Sequence, residues 1–346
     1  GSGHAVRRIE DPALVSGAGR FADDVNLEGQ THLVFLRSPH AHARILSIDA
    51  SAALEMPGVV AVITGADLVA AGVRPLPVPQ GFPQPDGSTG ASPPRHALAV
   101  DVARFAGEAV AAIIAETRDQ ARDARDAVFV DYEDLPALAD ARSATAEGAP
   151  QLWPAAKGNC AAGMRHGDKA KADAAFAAAA HVVSLELENQ RLAPSPMEPR
   201  GVLASYDAAG DRLEIRLSSQ MPTAVRNTLA DEVLGITKDK IRVTVGDVGG
   251  GFGMKTGCYP EDVVVAQAAR TLKRPVKWIA ERSDDFLAAV HGRDLLSHAQ
   301  LALDAEGRVL ALRVRSLANV GAYATATGVA IQLLIGPWVS TSIYDI

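Results

Sequence analysis

The residues of this chain best suited to chemistry lie in the run Gly246-Asp247-Val248-Gly249-Gly250-Gly251-Phe252-Gly253-Met254-Lys255. Glycine has no Cβ, so such a run leaves backbone N–H groups open to an anionic or oxygen-rich ligand. Phe252 is the aromatic exception, and a ring flanked by glycines has little reason to be there unless it packs on something. Gln220 is the second candidate. Its carboxamide can donate and accept, which suits a metal-oxo or hydroxo neighbour; taken alone, it reads better as a turn residue bonding the N-terminus of a following helix.

Two familiar glycine loops are poor fits. A P-loop ends in Gly-Lys-Ser/Thr, and here Met254 replaces that glycine ahead of Lys255-Thr256. The dinucleotide fingerprint G-x-G-x-x-G begins with Gly249 and Gly251 but meets Met254 at its third glycine. His40 and His42 would share one face of a strand, as metal ligands sometimes do. No third ligand is near them in sequence, so a structural role is expected, as for His291. Glu198 and Arg200 flank Pro199 and are candidates for a buried ion pair, with acid–base work less favoured. Cys258 reads as a small buried apolar residue rather than a redox thiol.

The elements that must position these residues follow from periodicity. Ile241, Val243 and Val245 alternate with polar residues, giving a strand before the glycine run, and residues 261–273 read as a helix after it. Leu213, Ile215 and Leu217 alternate in the same way, forming a half-buried strand that leads to Gln220. Pro222 opens a helix at its permitted first position; Val225, Leu229 and Val233 line one face, and Gly235 stands where a C-terminal cap belongs. Upstream, residues 32–37, 44–48, 59–63 and 129–132 read as strands and 50–56 as a short helix. Residues 109–115 are continuously apolar, as in a strand buried on both faces. Thr117 caps a helix that presents Ala121, Ala124 and Val128 on one side. Residues 73–97 hold Pro75, Pro77, Pro79, Pro83, Pro85, Pro93 and Pro94, so an extended surface loop is expected. Residues 135–165 read as an interdomain linker and 171–180 as an alanine-rich helix. The expected division is therefore 1–134, a linker over 135–165, and 166–346.

Bulk properties close off several classes. A net charge of −7 without a basic run argues against a nucleic-acid partner. Two cysteines, Cys160 and Cys258, cannot frame a disulfide scaffold or hold an iron–sulfur cluster alone. No secretory signal is read, so a cytoplasmic location is expected. Residues 316–344 carry no Asp, Glu, Lys or Arg and are long enough for a membrane span. Asn319, Thr325, Thr327, Gln332 and Gly336-Pro337 interrupt them, so a segment buried in protein is expected instead.

The glycine run, followed by Arg274-Pro275-Val276-Lys277-Trp278 and Glu281-Arg282-Ser283, resembles the molybdopterin-binding large subunits of the xanthine oxidase, aldehyde oxidase and aerobic carbon monoxide dehydrogenase family. Four further segments are similar and occur in order. They are Gly17-Ala18-Gly19-Arg20-Phe21-Ala22-Asp23-Asp24, Arg37-Ser38-Pro39-His40-Ala41-His42-Ala43, Asn189-Gln190-Arg191 with Pro196-Met197-Glu198-Pro199-Arg200, and Ser218-Ser219-Gln220.

That resemblance implies an α+β chain: an N-terminal α/β hammerhead-like domain, then the first half of a mixed α+β molybdopterin-binding domain. It implies that Gln220 contacts the molybdenum oxo group and that Phe252 walls the substrate pocket, both beside the metal without ligating it. Gly250, Gly251 and Gly253 would line the cofactor. The implied cofactor is molybdenum-molybdopterin, with a dinucleotide form such as molybdopterin cytosine dinucleotide. The implied reaction is hydroxylation of an aldehyde or N-heterocyclic carbon with water-derived oxygen, electrons leaving to 2Fe-2S and FAD subunits. Thr256 stands where purine-oxidising relatives carry a glutamate, which points away from xanthine. The family's general-base glutamate, an arginine-containing loop and further pterin contacts have no counterpart here. The expectation is a trimmed chain or a natural split subunit, completed by a second chain that carries the remainder of the domain. Two alternatives stay open: a non-catalytic cofactor-binding or scaffold subunit, and a dinucleotide-binding oxidoreductase.

Overall fold

The computed structural model describes residues 2–78, 82, 84, 86–341 and 344. Pro79, Pro83 and Pro85 of the expected loop, and the terminal Asp345-Ile346, lie outside them. The strands run β1 (Thr31–Arg37), β2 (Ala43–Asp49), β3 (Val59–Thr64), β4 (Val102–Ala103), β5 (Ala109–Ala115), β6 (Phe129–Asp134), β7 (His181–Asn189), β8 (Gly201–Asp207), β9 (Arg212–Leu217), β10 (Ile241–Thr244), β11 (Val276–Ile279), β12 (Leu295–Leu303) and β13 (Val309–Ala318).

The largest sheet has seven strands in the order β10-β9-β8-β11-β1-β5-β3. It draws strands from both sides of residues 135–165. The seam is the parallel β1–β11 pairing, Thr31 opposite Val276 and His32 opposite Lys277, reinforced by the Thr31 N–H donating to the Pro275 carbonyl at 2.8 Å. β5 occupies an interior position between β1 and β3 and is buried along its whole length, which is why its sequence is apolar without alternation. β9 instead buries Leu213, Ile215 and Leu217 and exposes Arg212 and Glu214, as its period of two requires. Helix Pro260–Leu272 lies against β8, β9 and β11 with Val263, Val264, Val265, Ala266, Ala268 and Ala269 buried. Phe35 meets Trp278 edge-on across the seam at 5.5 Å.

Helix Arg118–Asp126 starts at Thr117, whose side chain accepts from the Gln120 N–H, and it buries Ala121 and Ala124 as the sequence indicates. The helix opened by Pro222 changes to π geometry over Thr228–Leu234 and ends on left-handed Gly235, with Val225, Leu229 and Val233 buried. A two-residue strand, β4, and β6 flank β2 in a separate sheet.

Residues 135–165 are more tightly held than a linker need be. The Trp153 indole donates to the Ala322 carbonyl at 2.7 Å, the Arg104 guanidinium lies 3.5 Å from its ring centroid, and Asn159 bonds the carbonyls of Ala144 and Pro150. The third sheet, β13-β12-β7, has one apolar face that none of the described residues covers: Val183, Leu185 and Leu187 of β7, with Val314 of β13, are all exposed. Residues 316–344 are buried in this chain only in part. Tyr323, Ala324 and Val329 are buried, but Ile331, Ile335, Trp338 and Val339 are exposed, so this chain alone does not bury the run. Among the described residues no helix is long and apolar enough to cross a membrane.

Candidate functional site

β9 ends at Leu217 and delivers the buried Ser218 and Ser219, then the exposed Gln220, to the rim of the seven-stranded sheet. β10 ends beside it and delivers the glycine run. The two segments are stitched together. The Gln220 N–H donates to the Lys255 carbonyl at 2.8 Å, and Gln220 Oε1 accepts from the N–H groups of Gly253 at 3.0 Å and Lys255 at 3.2 Å. Two backbone donors on one atom fix which end of the carboxamide is oxygen. Nε2 therefore faces outward, without a partner among the described residues. The acceptor capacity read from the sequence is spent inside the chain, and what Gln220 presents is a donor.

Gly251 makes this contact possible. A Cβ there would meet Gln220 Oε1 at 2.3 Å. At the other end of the loop, a Cβ on Gly249 would meet the Glu198 Cβ at 2.4 Å. Between these close approaches, the N–H groups of Gly250, Gly251 and Phe252 find no acceptor among the described residues. Phe252 itself has φ 51° and is 77% exposed. Its ring lies against Gly250, where an added Cβ would meet it at 2.9 Å, and is otherwise largely uncovered. A phenylalanine held in the left-handed region with its ring largely exposed is strained and uncovered at once.

Lys255 points the opposite way. It is 2% exposed, and Nζ bonds the Glu198 carbonyl at 2.8 Å, Ser218 Oγ at 2.8 Å and Glu198 Oε2 at 3.1 Å. An ammonium turned into the protein cannot reach a bound phosphate, which removes any remaining likeness to a P-loop. Burial lowers the Lys255 pKa, against the pull of Glu198. Glu198 is partly buried, which raises its pKa, but Ser218, Gly249, Ala22 and Lys255 together bring it below the ordinary carboxylate value. Thr256 closes the turn, its hydroxyl donating to the Gly253 carbonyl at 2.9 Å.

The suggested Glu198–Arg200 pair does not form. Pro199 sends the two side chains to different networks. Arg200 is fully sequestered, with Nε 2.8 Å from Asp285 Oδ1 and Nη1 3.0 Å from Glu261 Oε2. Arg37 meets the same Glu261 at 2.9 Å and Asp284 at 2.7 Å. Burial opposes the charge of Glu261, but the two guanidiniums outweigh it and hold its carboxyl at about 2. The next residue, Asp262, feels Arg200 only at a distance and makes no ion pair among the described residues. Burial, helped by the Glu261 charge, pushes it up to about 7 despite a hydrogen bond from the Tyr259 N–H. This ionic layer backs the loop through Tyr259, whose ring lies 4.1 Å from the Arg200 guanidinium and whose hydroxyl donates to the Met254 carbonyl at 2.6 Å.

Other candidates lie apart or are structural. His40 pairs with Asp134 at 2.7 Å, and His42 Nδ1 lies 2.8 Å from the Pro136 carbonyl; both stand in the turn between β1 and β2 rather than on a strand. His291 bonds the Phe286 carbonyl. Burial pushes the Cys258 thiol well up, consistent with an inert packing residue. Among the described residues no group of three or more His, Cys, Asp or Glu could hold a metal ion.

Residues 152–346 match the molybdopterin cofactor-binding domain family, and residues 16–136 match the aldehyde oxidase and xanthine dehydrogenase a/b hammerhead domain. The chain belongs to the molybdenum hydroxylases of the xanthine dehydrogenase and aldehyde oxidase family. Among its relatives, the nicotine 6-hydroxylase large subunit of Paenarthrobacter nicotinovorans is 38% identical, over 93% of this chain and 38% of that protein. The carbon monoxide dehydrogenase large chain of Hydrogenophaga pseudoflava is 37% identical, over 91% of this chain and 39% of that protein. The structure of quinoline 2-oxidoreductase from Pseudomonas putida 86 superposes with a TM-score of 0.81 at 37% identity, over 93% of this chain and 40% of that one. The chain thus spans about 40% of the length of the relatives it matches.

Within this molybdenum hydroxylase fold, a hammerhead unit followed by a mixed cofactor domain is as the sequence indicates. Sequence reasoning gathered Gln220, Gly250, Gly251, Phe252 and Gly253, and the structure brings them together. It missed the Lys255–Ser218–Glu198 network and the Glu261–Asp285 layer behind it. One signal was available for the first: Lys255 sits in a turn of small residues, where a long charged side chain is unusual unless it is used.

Proposed function

We propose that this chain supplies one wall of the active site of a molybdenum hydroxylase. Gln220, Gly250, Gly251, Phe252 and Gly253 face the cofactor in this reading. The observation that carries it is the locked carboxamide of Gln220, whose free NH2 stands beside three unpaired backbone N–H groups in one glycine turn. That donor set fits an oxygen-rich cofactor, and the bare Gly249 and Gly251 let Glu198 and Gln220 approach closely enough to hold it in place. The site residues flank the metal and do not ligate it.

Bound there, molybdenum-molybdopterin would supply the redox chemistry, passing water-derived oxygen to an aldehyde or N-heterocyclic carbon and removing two electrons. The chain's own contribution is positional. Gln220 Nε2 would donate to an oxygen of the cofactor and Gly250, Gly251 and Phe252 would hold its polar edge, all without reorganising. The exposed Phe252 ring would wall a planar substrate and exclude water. The dinucleotide form of the cofactor, 2Fe-2S and FAD partner subunits and a general base beyond this chain belong to the same proposal. So does the division into 1–134, 135–165 and 166–346. The apolar surface on residues 331–339 and on the β13-β12-β7 sheet supports further large-subunit polypeptide covering both.

The test is the Gln220→Ala variant in the assembled enzyme. The expected result is a fall in kcat larger than the rise in KM, on the order of 10- to 1000-fold. Unchanged turnover would return Gln220 to the role of a turn residue.

A further inference from the structure

We infer that Glu198 is the positioning residue that shapes the glycine loop, clamping its first half in the arrangement that leaves the N–H groups of Gly250, Gly251 and Phe252 without an acceptor in this chain. The inference rests on the reading of this loop as the cofactor cradle.

Its carboxylate joins three segments far apart in sequence. Oε1 accepts from the Ala22 N–H at 3.1 Å, in the N-terminal unit. Oε2 accepts from Ser218 Oγ at 2.6 Å, at the end of β9, and from the Gly249 N–H at 2.8 Å, in the loop. Lys255 Nζ adds a third contact to Oε2 at 3.1 Å. The backbone completes the clamp: the Glu198 N–H donates to the Gly249 carbonyl at 3.2 Å. Gly249 is thus held by both of its polar groups to one residue, at a distance that excludes a Cβ.

This fixes one end of the loop, while Gln220 fixes the other through Gly253 and Lys255. Lys255 belongs to both anchors. Its backbone bonds Gln220 in each direction, and its ammonium bonds Glu198 and Ser218. A loop pinned at Gly249 and at Gly253 has little freedom left between them, so the N–H groups of Gly250, Gly251 and Phe252 are held in place without an acceptor among the described residues. Charge is required for the clamp to hold. A neutral amide at Glu198 would offer one acceptor where the carboxylate offers two, would turn a donor toward another donor, and would leave the buried Lys255 ammonium uncompensated.

The experiment uses the complete large subunit containing this chain, with two readouts: hydrogen exchange of the amides in residues 249–253, and molybdenum and pterin content. Glu198→Gln is expected to speed exchange in 249–253, above all at the Gly249 amide that donates to Glu198, roughly tenfold relative to the rest of the protein, and to lower cofactor content. Glu198→Gln with Lys255→Met removes both charges and is expected to restore part of the protection, which a general loss of packing would not do. Should Glu198→Gln fail to fold, Ser218→Ala removes one donor without changing charge and should speed exchange at Gly249 selectively. Exchange in 249–253 that is unchanged, or that rises only in step with global destabilisation, overturns the inference. Wild-type protein lacking molybdenum and pterin would overturn the cofactor reading instead, and the exchange result would still decide the role of Glu198.

Discussion

A carboxamide whose oxygen is held by two backbone N–H groups can offer only its NH2, and the same two bonds prevent the side chain from swinging away. Gln220 is in that state because Gly251 leaves room for it. Gly251→Ala is therefore a sharper probe than its size suggests: the new methyl would sit 2.3 Å from Gln220 Oε1. The expected outcome is displacement of Gln220 and loss of most bound cofactor from the assembled protein, measured as molybdenum per chain, with a thermal midpoint that moves much less. Retention of full molybdenum content would show that the loop does not need this close approach. The sequence disclosed the residue types at this scale but not their orientation. Gln220 could be named, yet its donor-only role depends on Gly253 and Lys255, more than thirty residues away. Phe252 could be named as a wall residue, but not that its ring would lie against Gly250 and stay largely exposed.

At the scale of elements, the helix Pro260–Leu272 carries the charge layer behind the loop. Glu261 sits between Arg200 and Arg37 and contributes stability that is present above its ordinary value of 4.5 and is lost as the pH falls toward about 2. Glu261→Gln leaves two buried guanidiniums short of a partner and should cost about 3–5 kcal/mol in denaturant unfolding at neutral pH. Asp262 has the opposite sign. Its folded value, about 7, lies above its ordinary 3.8, so its contribution is fully present at low pH and is lost as the pH rises toward 7. Asp262→Asn keeps an acceptor for the Tyr259 N–H and removes that loss. Across pH 4 to 8 the variant should gain on the wild type, by an amount on the order of a few kcal/mol, and level off above pH 7. Parallel stability curves would mean that Asp262 is already ionised in the folded protein at low pH.

These elements divide cleanly by legibility. β5, β9, helix Arg118–Asp126 and the Pro222 helix with its Gly235 cap follow from period, capping residues and apolar runs. The β13-β12-β7 sheet was not read, although Val183, Leu185 and Leu187 alternate, because an apolar row facing solvent has no place in a self-contained chain. The Arg200–Glu261–Asp285 layer was invisible for another reason: its members lie 61 and 85 residues apart, and nothing local marks them.

For the whole molecule, the uncovered surface is the feature that remains. Trp338 is 70% exposed, Ile331, Ile335 and Val339 accompany it, and the apolar face of β7 is exposed as well. Burial of such side chains is worth roughly 25 cal/mol per Å² of apolar surface, so polypeptide that covers them gains many kcal/mol. Leu334→Asp should weaken that assembly, because a carboxylate buried without a partner costs several kcal/mol. Size-exclusion chromatography of the co-produced polypeptides reads the effect; assembly equal to wild type would mean that this segment lies outside the interface.

The central claim is that the loop of Gly250, Gly251 and Phe252, with Gln220, is one wall of a molybdopterin site. Metal and pterin analysis of the complete, purified large subunit tests it most directly. The account predicts about one molybdenum and one pterin per large subunit, and a large loss of both in Gly251→Ala. A folded wild-type assembly with neither molybdenum nor pterin, or a Gly251→Ala variant that keeps both in full, would contradict it.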